Sequence, residues 1–413
     1  MKKKIFVRAP ALSQSGYGEQ ARFALRALKT REDIFDIYIQ PIPWGQTGWI
    51  WQDSEFRTWM DSRITITQVL LEKKQLQPDV SLQITIPNEF QKFAPVNIGY
   101  TAGIETSKVS PIWLQKGNEM DKVLVVSNHA MNTYKNTLAQ ATNSETGEVV
   151  PYRLNTPIHV VGESTPREPP VAIPNLKLDY EFNFLMVSQM SIRKNFDNSL
   201  RWWVEEFYDQ EIGLIIKTNL ATNSIIDFEY VQKKVEIILS KYKDRKCKIY
   251  ILHGDLSPGQ MTWLYNHESL KSLINISHGE GFGLPMFEAA REGMPIVSVE
   301  WSGQTDFLTH NNKNYFQSVE YTLAPIQPEA VWDGVLEKES MWAYADQGSY
   351  KMKLRKMYKD WDSNKETALE LQEIISDKFC DNKLYQQFCD HFYSKEEEDL
   401  ANEINNLFDE LND

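Results

Sequence analysis

The sequence predicts an α/β protein made of two doubly wound, parallel-sheet units in series, followed by helices. Three observations predict it. Short apolar runs alternate with longer amphipathic stretches through the first 160 residues, and the same alternation restarts after residue 180. A proline-rich break separates the two. Alternation of this kind argues for parallel strands with helices on both faces of each sheet.

In the first unit, residues 4–8 read as a buried strand, and residues 18–28 as a helix with Ala21, Ala24, Leu25 and Leu28 on one face. Residues 35–40, 80–85, 96–101, 122–126 and 158–161 are further strands, with helical patterns at 67–75 and 127–138. Residues 163–178 then hold four prolines, Pro166, Pro169, Pro170 and Pro174, which suit a linker because neither helix nor central strand tolerates them. The second unit has strands at 182–187, 212–217, 248–252, 273–277 and 295–299, and helices at 196–207, 228–242, 258–265 and 285–292. From about residue 338 the pattern is helical, ending in an acidic tail at 396–413. The expected division is 1–165, 179–340 and 341–413.

Composition narrows the function. With 413 residues, 42% hydrophobic and 24% charged, the chain is neither fibrous nor wholly disordered. Its net charge of −13 repels polyanions, so nucleic acid would need a local basic patch. The one present is Lys233, Lys234, Lys241, Lys243, Arg245, Lys246 and Lys248. Cys247, Cys380 and Cys389 form neither a disulfide framework nor a zinc pattern. The basic start Met1–Lys4 precedes too short an apolar run for a secretory signal, and no stretch approaches a membrane span. A cytoplasmic setting is expected.

Residues 273–298 carry the chemistry. A strand is followed by His278-Gly279-Glu280-Gly281-Phe282-Gly283-Leu284-Pro285, then a helix carrying Glu288, then Gly293 and Pro295 before the next strand. Pro285 suits the first helical turn and Gly293 its end. A glycine turn feeding a helix N-terminus offers free amides and the positive end of the dipole, which suits phosphate. Beside a bound diphosphate, Glu280 and Glu288 are spaced to accept hydrogen bonds from vicinal hydroxyls. The spacing alone is weak, since Glu292 and Glu300 share it without any glycine turn.

The whole segment resembles the Glu-x7-Glu signature of the retaining GT-B glycosyltransferases called the "glycosyl transferases group 1" family. The resemblance covers most of residues 180–310 with specific motifs, and 1–130 more loosely. It implies two Rossmann-like domains facing across a cleft, with a nucleotide-diphosphate sugar held mainly by the second. It places Glu288 on the ribose and Glu280 on the transferred sugar. The turn Gly281, Phe282, Gly283 and Leu284 falls on the diphosphate. Arg193 and Lys194 would neutralise the leaving group, although Gln189 stands where the family commonly has the earlier arginine. Lys217 is a second cation there, and His253, Gly254 and Leu256 fall in the nucleobase region. Gly16 and Gly18, in Ser13-Gln-Ser-Gly-Tyr-Gly18, match a loop near diphosphate and acceptor. Residues 99–106 and 111–113 resemble a Trp-Glu-Thr…Pro-x-x-Trp pattern with Ile104 replacing the first Trp, which makes Glu105 an acceptor-side candidate.

Trp44, Trp49 and Trp51 cluster where aromatic rings would stack on an acceptor sugar. Asp360-Trp-Asp362 lies in a charged helical stretch and is not read as a metal site. No metal and no cofactor beyond the donor substrate is expected. The resulting expectation is retaining, metal-independent transfer to a glycan, small-molecule or other hydroxyl acceptor, by front-face chemistry without a side-chain nucleophile. The last helices would cross back onto the first domain and set a hinge. Two alternatives stay open: sugar transfer to modified DNA bases, disfavoured by the net charge, and a non-catalytic nucleotide-sugar-binding scaffold.

Overall fold

A computed structural model describes residues 2–142 and 147–393. The acidic tail at 396–413 lies outside the described residues. In the first half, strands β1 (Lys3–Ala9), β2 (Phe35–Pro41), β3 (Val80–Ile84), β4 (Val96–Thr101) and β5 (Lys122–Val125) alternate with helices α1 (Gly16–Lys29), α2 (Glu55–Glu72), α3 (Pro111–Asn118) and α4 (Asn128–Asn136). A ribbon of β6 (Ala139–Thr142) and β7 (Val149–Tyr152) then precedes β8 (Ile158–Val160). The sheet is parallel throughout, in the order β2-β1-β3-β4-β5-β8.

The second half repeats the design. It comprises β9 (Asn183–Val187), α5 (Phe196–Phe207), β10 (Gly213–Lys217), α6 (Ile225–Leu239), β11 (Lys248–Leu252), α7 (Pro258–Asn266), β12 (Leu270–Asn275), α8 (Leu284–Arg291), β13 (Ile296–Val299) and α9 (Thr305–Leu308). A short β14 (Thr309–His310) and β15 (Lys313–Asn314) pair leads to β16 (Gln317–Val319). The parallel order is β11-β10-β9-β12-β13-β16. Both sheets are thus doubly wound, and their strand ends face one cleft, where ligands bind in such folds.

Local chemistry explains most boundaries. Ser15, Ser54, Ser127, Ser224 and Ser257 each accept an amide hydrogen bond at a helix start. Ser54 starts α2 twelve residues before the expected 67, and Ser224 starts α6 three before the expected 228. Cap chemistry there outweighs the apolar periodicity on which the expected starts rest.

The chain after residue 320 departs most from expectation. Residues 341–345 form a strand, β18 (Met341–Ala345), antiparallel to β17 (Tyr321–Pro325). The excursion between them, 326–340, reaches the first unit and buries Val335 with Phe90, Ile104 and Trp113. Ser107 N–H donates to Met341 O at 2.8 Å, and Asn88 Nδ2 to Gly334 O at 3.0 Å. Helices α10 (Gln347–Lys359) and α11 (Trp361–Lys378) pack on α5 and α8 of the second unit, not on the first. Tyr350, Leu354 and Met357 of α10 join the second core, which fixes that placement. Among the described helices of this stretch, it is α12 (Asp381–Cys389) that crosses back onto α1. Phe388 there is fully buried and meets Phe23 edge-on at 5.8 Å. Among the described residues no helix is long and apolar enough to cross a membrane.

Phe388→Ala is expected to cost about 3–5 kcal/mol in denaturant unfolding, as a large-to-small change in a core does. A loss below about 1 kcal/mol would show that α12 is not part of the cooperative core.

Candidate active site in the interdomain cleft

The cleft between the two units holds about 2090 Å³. A site for one small ligand typically holds roughly 300–1,000 Å³, so there is room for two substrates. The loop from β12 to α8 forms its floor. Gly283, at φ +98°, is the N-cap of α8, and Pro285 occupies its first turn. Among the described residues, the amides of Gly281, Phe282, Gly283 and Leu284 have no protein acceptor, and all four residues line the cleft. These are free donors at the positive end of a helix. The side chain of Phe282 turns the other way, packing on Phe287 at 5.4 Å and Phe307 at 5.2 Å.

The neighbouring glycines have a different task. A Cβ on Gly279 would lie 2.3 Å from Glu105 O, and one on Gly281 would lie 2.6 Å from Ala102 O. Both glycines therefore allow the loops of the two units to touch.

Glu280 is held by its own chain. Lys194 Nζ donates to both carboxylate oxygens at 2.6 and 2.7 Å, Ser277 Oγ donates at 2.6 Å, and Asn275 Nδ2 at 3.2 Å. Burial alone would raise its pKa, but Lys194 and Arg193 outweigh that and hold it down at about 2. Glu280 is thus an ionised anchor that aims Lys194. The expected role on sugar hydroxyls meets a carboxylate most of whose hydrogen bonds are already made. Asn195, at φ +51°, turns the chain behind Lys194 into α5. Arg193 continues the network to Glu280 at 3.3 Å and across the cleft to Glu105 at 3.1 Å.

Glu288 lines the cleft and is mostly buried. Tyr265 Oη donates to it at 3.0 Å, and burial raises its pKa. Lys217, at the end of β10, lines the cleft without an ion pair among the described residues. Burial lowers its pKa, and Asp255 partly offsets this. Gln189 also lines the cleft, donating to Leu220 O at 2.7 Å.

Four expected residues, His253, Gly254, Gly18 and Trp49, lie outside the cleft lining. His253 is behind the wall, its Nε2 2.8 Å from Asp227, whose carboxylate accepts the amides of Leu220, Ala221 and Thr222. It shapes a loop, and after the turn at Gly254 (φ +98°) it is Asp255 and Leu256 that line the cleft. Gly16 lines the cleft, but Gly18 lies within α1, where a Cβ would stand 2.0 Å from Ser13 O. Trp44 lines the cleft and packs on Tyr17, the rings tilted at 36° with centroids 4.4 Å apart, whereas Trp49 is an exposed residue bridged to Ser13 outside the lining. Trp51 and, from the excursion, Trp332 add aromatic surface.

Sequence reasoning missed Tyr265, Asn275, Ser277 and a buried carboxyl, Glu163, which also lines the cleft. Burial, then Glu19, pushes the Glu163 pKa up to about 8. The basic segment after residue 233 lies on and beyond α6, outside the cleft lining. Among the described residues no group of three His, Cys, Asp or Glu side chains is placed to hold a metal ion.

No protein-family model matches the chain, and no curated protein does. Solved structures do. A sucrose-phosphate synthase from Thermosynechococcus elongatus aligns with TM-score 0.62 at 11% identity, covering 95% of this chain and 98% of that one. The fold is GT-B. A glycosyltransferase from Rickettsia africae gives TM-score 0.57 at 13% identity over 95% of this chain and 100% of that one. Anabaena HepE, in complex with UDP and glucose, gives 0.56 at 13% identity over 94% and 99%.

A carboxyl whose folded pKa is raised weakens the fold as pH climbs from its ordinary 4.5 towards 8, because the unfolded chain releases the proton first. Glu163→Gln should therefore leave stability unchanged near pH 4 and raise it by about 1 kcal/mol or more at pH 8. Equal melting curves at both pH values would refute the raised pKa.

Proposed function

We propose that the protein is a retaining glycosyltransferase that moves a sugar from a nucleotide-diphosphate donor to a hydroxyl acceptor without a metal. The observation that carries this reading is the set of unspent amides at Gly281–Leu284 in a cleft also lined by Lys194, Arg193, Lys217 and Glu288. Amides and cations converging on one point in a low-dielectric cleft stabilise the negative charge that grows on a departing diphosphate. Glu288, with Tyr265 fixing one oxygen, keeps the other for ribose hydroxyls. Charge neutralisation then falls to side chains and the helix dipole.

Glu280 acts through Lys194, and no cleft carboxylate is assigned as nucleophile. The leaving phosphate oxygen takes the acceptor proton on the face it vacates, which keeps the anomeric configuration. Trp44, Trp51 and Trp332 line the cleft, and such aromatic surface suits a glycan acceptor. The bound UDP and glucose of HepE make UDP-glucose the first donor to test. Three free cysteines fit a reducing, cytoplasmic setting. The basic residues on α6 give no support to DNA as acceptor, because they lie outside the cleft lining.

Glu288→Ala should weaken donor binding by about 1.5–3 kcal/mol, roughly 10- to 100-fold in calorimetric Kd, as for the loss of a charged hydrogen bond. Lys194→Ala should instead lower kcat by roughly 10²–10³-fold, the usual effect of removing one transition-state donor. Donor affinity unchanged in the first variant overturns the assignment of Glu288. Product stereochemistry followed by proton NMR should show retention; an inverted anomer refutes the front-face route.

A further inference from the structure

Helix α6 is apolar on too many sides for a surface helix. Val231 and Val235 fill the second core, yet Ile225 and Ile226 are each 74% exposed, Ile237 62% and Tyr230 55%. A helix apolar all round is normally covered. Residues 226, 230, 233 and 237 fall in one row along the helix, so Ile226, Tyr230, Lys233 and Ile237 share a face, and Lys241 follows just past its end.

The charge on this segment opposes that of the rest of the chain. Residues 225–248 hold seven Lys or Arg against four Asp or Glu, 7 − 4 = +3, in a chain of net −13. Lys234 and Lys248 pair with Asp197 and Asp179 at 3.0 and 2.9 Å. Lys233, Lys241, Lys243 and Lys246 have no ion pair among the described residues. Glu229 and Glu236 flank the row on one side.

We propose that α6 and the basic segment after it dock the protein on an anionic lipid surface. Ile226, Tyr230 and Ile237 enter the boundary between headgroups and acyl chains, and Lys233, Lys241 and Lys243 meet lipid phosphates. A second copy of the chain is a poorer occupant, because a two-fold contact would set this basic face against itself. A nucleic acid backbone would satisfy the lysines but leave the isoleucines uncovered. Ala221 and Asn223, just before the helix, line the cleft, so docking holds the cleft rim close to the surface.

Co-sedimentation of the full-length protein with phosphatidylglycerol and phosphatidylcholine vesicles at about 0.1 M salt tests this. Binding is expected to the anionic vesicles alone and to fall as salt rises. The double variants Ile226→Ser/Ile237→Ser and Lys233→Glu/Lys241→Glu should each weaken it at least tenfold, with melting temperature and UDP affinity unchanged. Absence of vesicle binding, or binding indifferent to both variants, overturns the proposal. So does duplex DNA binding that the lysine variant abolishes and the isoleucine variant leaves intact.

Discussion

The ion pair between Glu280 and Lys194 is the constraint on which the site depends. Glu280 is buried and Lys194 largely so, and a buried charge without its partner is costly. Each therefore dictates where the other's backbone must run. Glu280 is delivered by the glycine loop after β12, and Lys194 by the left-handed turn at Asn195. Asn275 and Ser277 complete the carboxylate's hydrogen bonds, so Lys194 is held in one position. Through Arg193 the same network reaches Glu105 on the opposite unit, which ties the electrostatics of the site to the closure of the cleft. In the proposed function, a diphosphate entering near Lys194 would compete with Glu105 for Arg193. Donor binding and the interdomain contact would then be coupled through one guanidinium.

Much of this was legible in the sequence. The alternating apolar runs give both parallel sheets, and Pro285 with Gly283 and Gly293 marks α8 to within a residue or two. Gly279 and Gly281 show the limit of such reading. A glycine signals that something approaches the backbone closely, but not what approaches. Here it is the carbonyls of Glu105 and Ala102, more than 170 residues away in the chain. His253 fails for a related reason: a histidine at a strand end looks the same whether it faces a cleft or a buried aspartate. Asp227, which decides the matter, sits in another helix. Tyr265 ends α7 with no local mark of its hydrogen bond to Glu288.

The excursion between β17 and β18 was the least legible element, and it bears most on motion. Its strands are short, and between them lie only a single helical turn at Pro328–Ala330 and an isolated bridge between Trp332 and Leu336, so periodicity offers little to detect. Yet Val335 is seated in the first unit's core while both flanking strands belong to the second. Opening the cleft by swinging the units apart would draw Val335 out from Phe90, Ile104 and Trp113, at a cost of about 1.5–3 kcal/mol. The cheaper motion keeps 326–340 attached to the first unit and flexes the chain at the base of the β17–β18 hairpin. Trp332, which lines the cleft, travels with that attached segment as the second unit moves. Trp332 then behaves as part of the first unit, although its sequence lies in the second. The bodies that move about the cleft are in this way not the ones that chain order alone would separate.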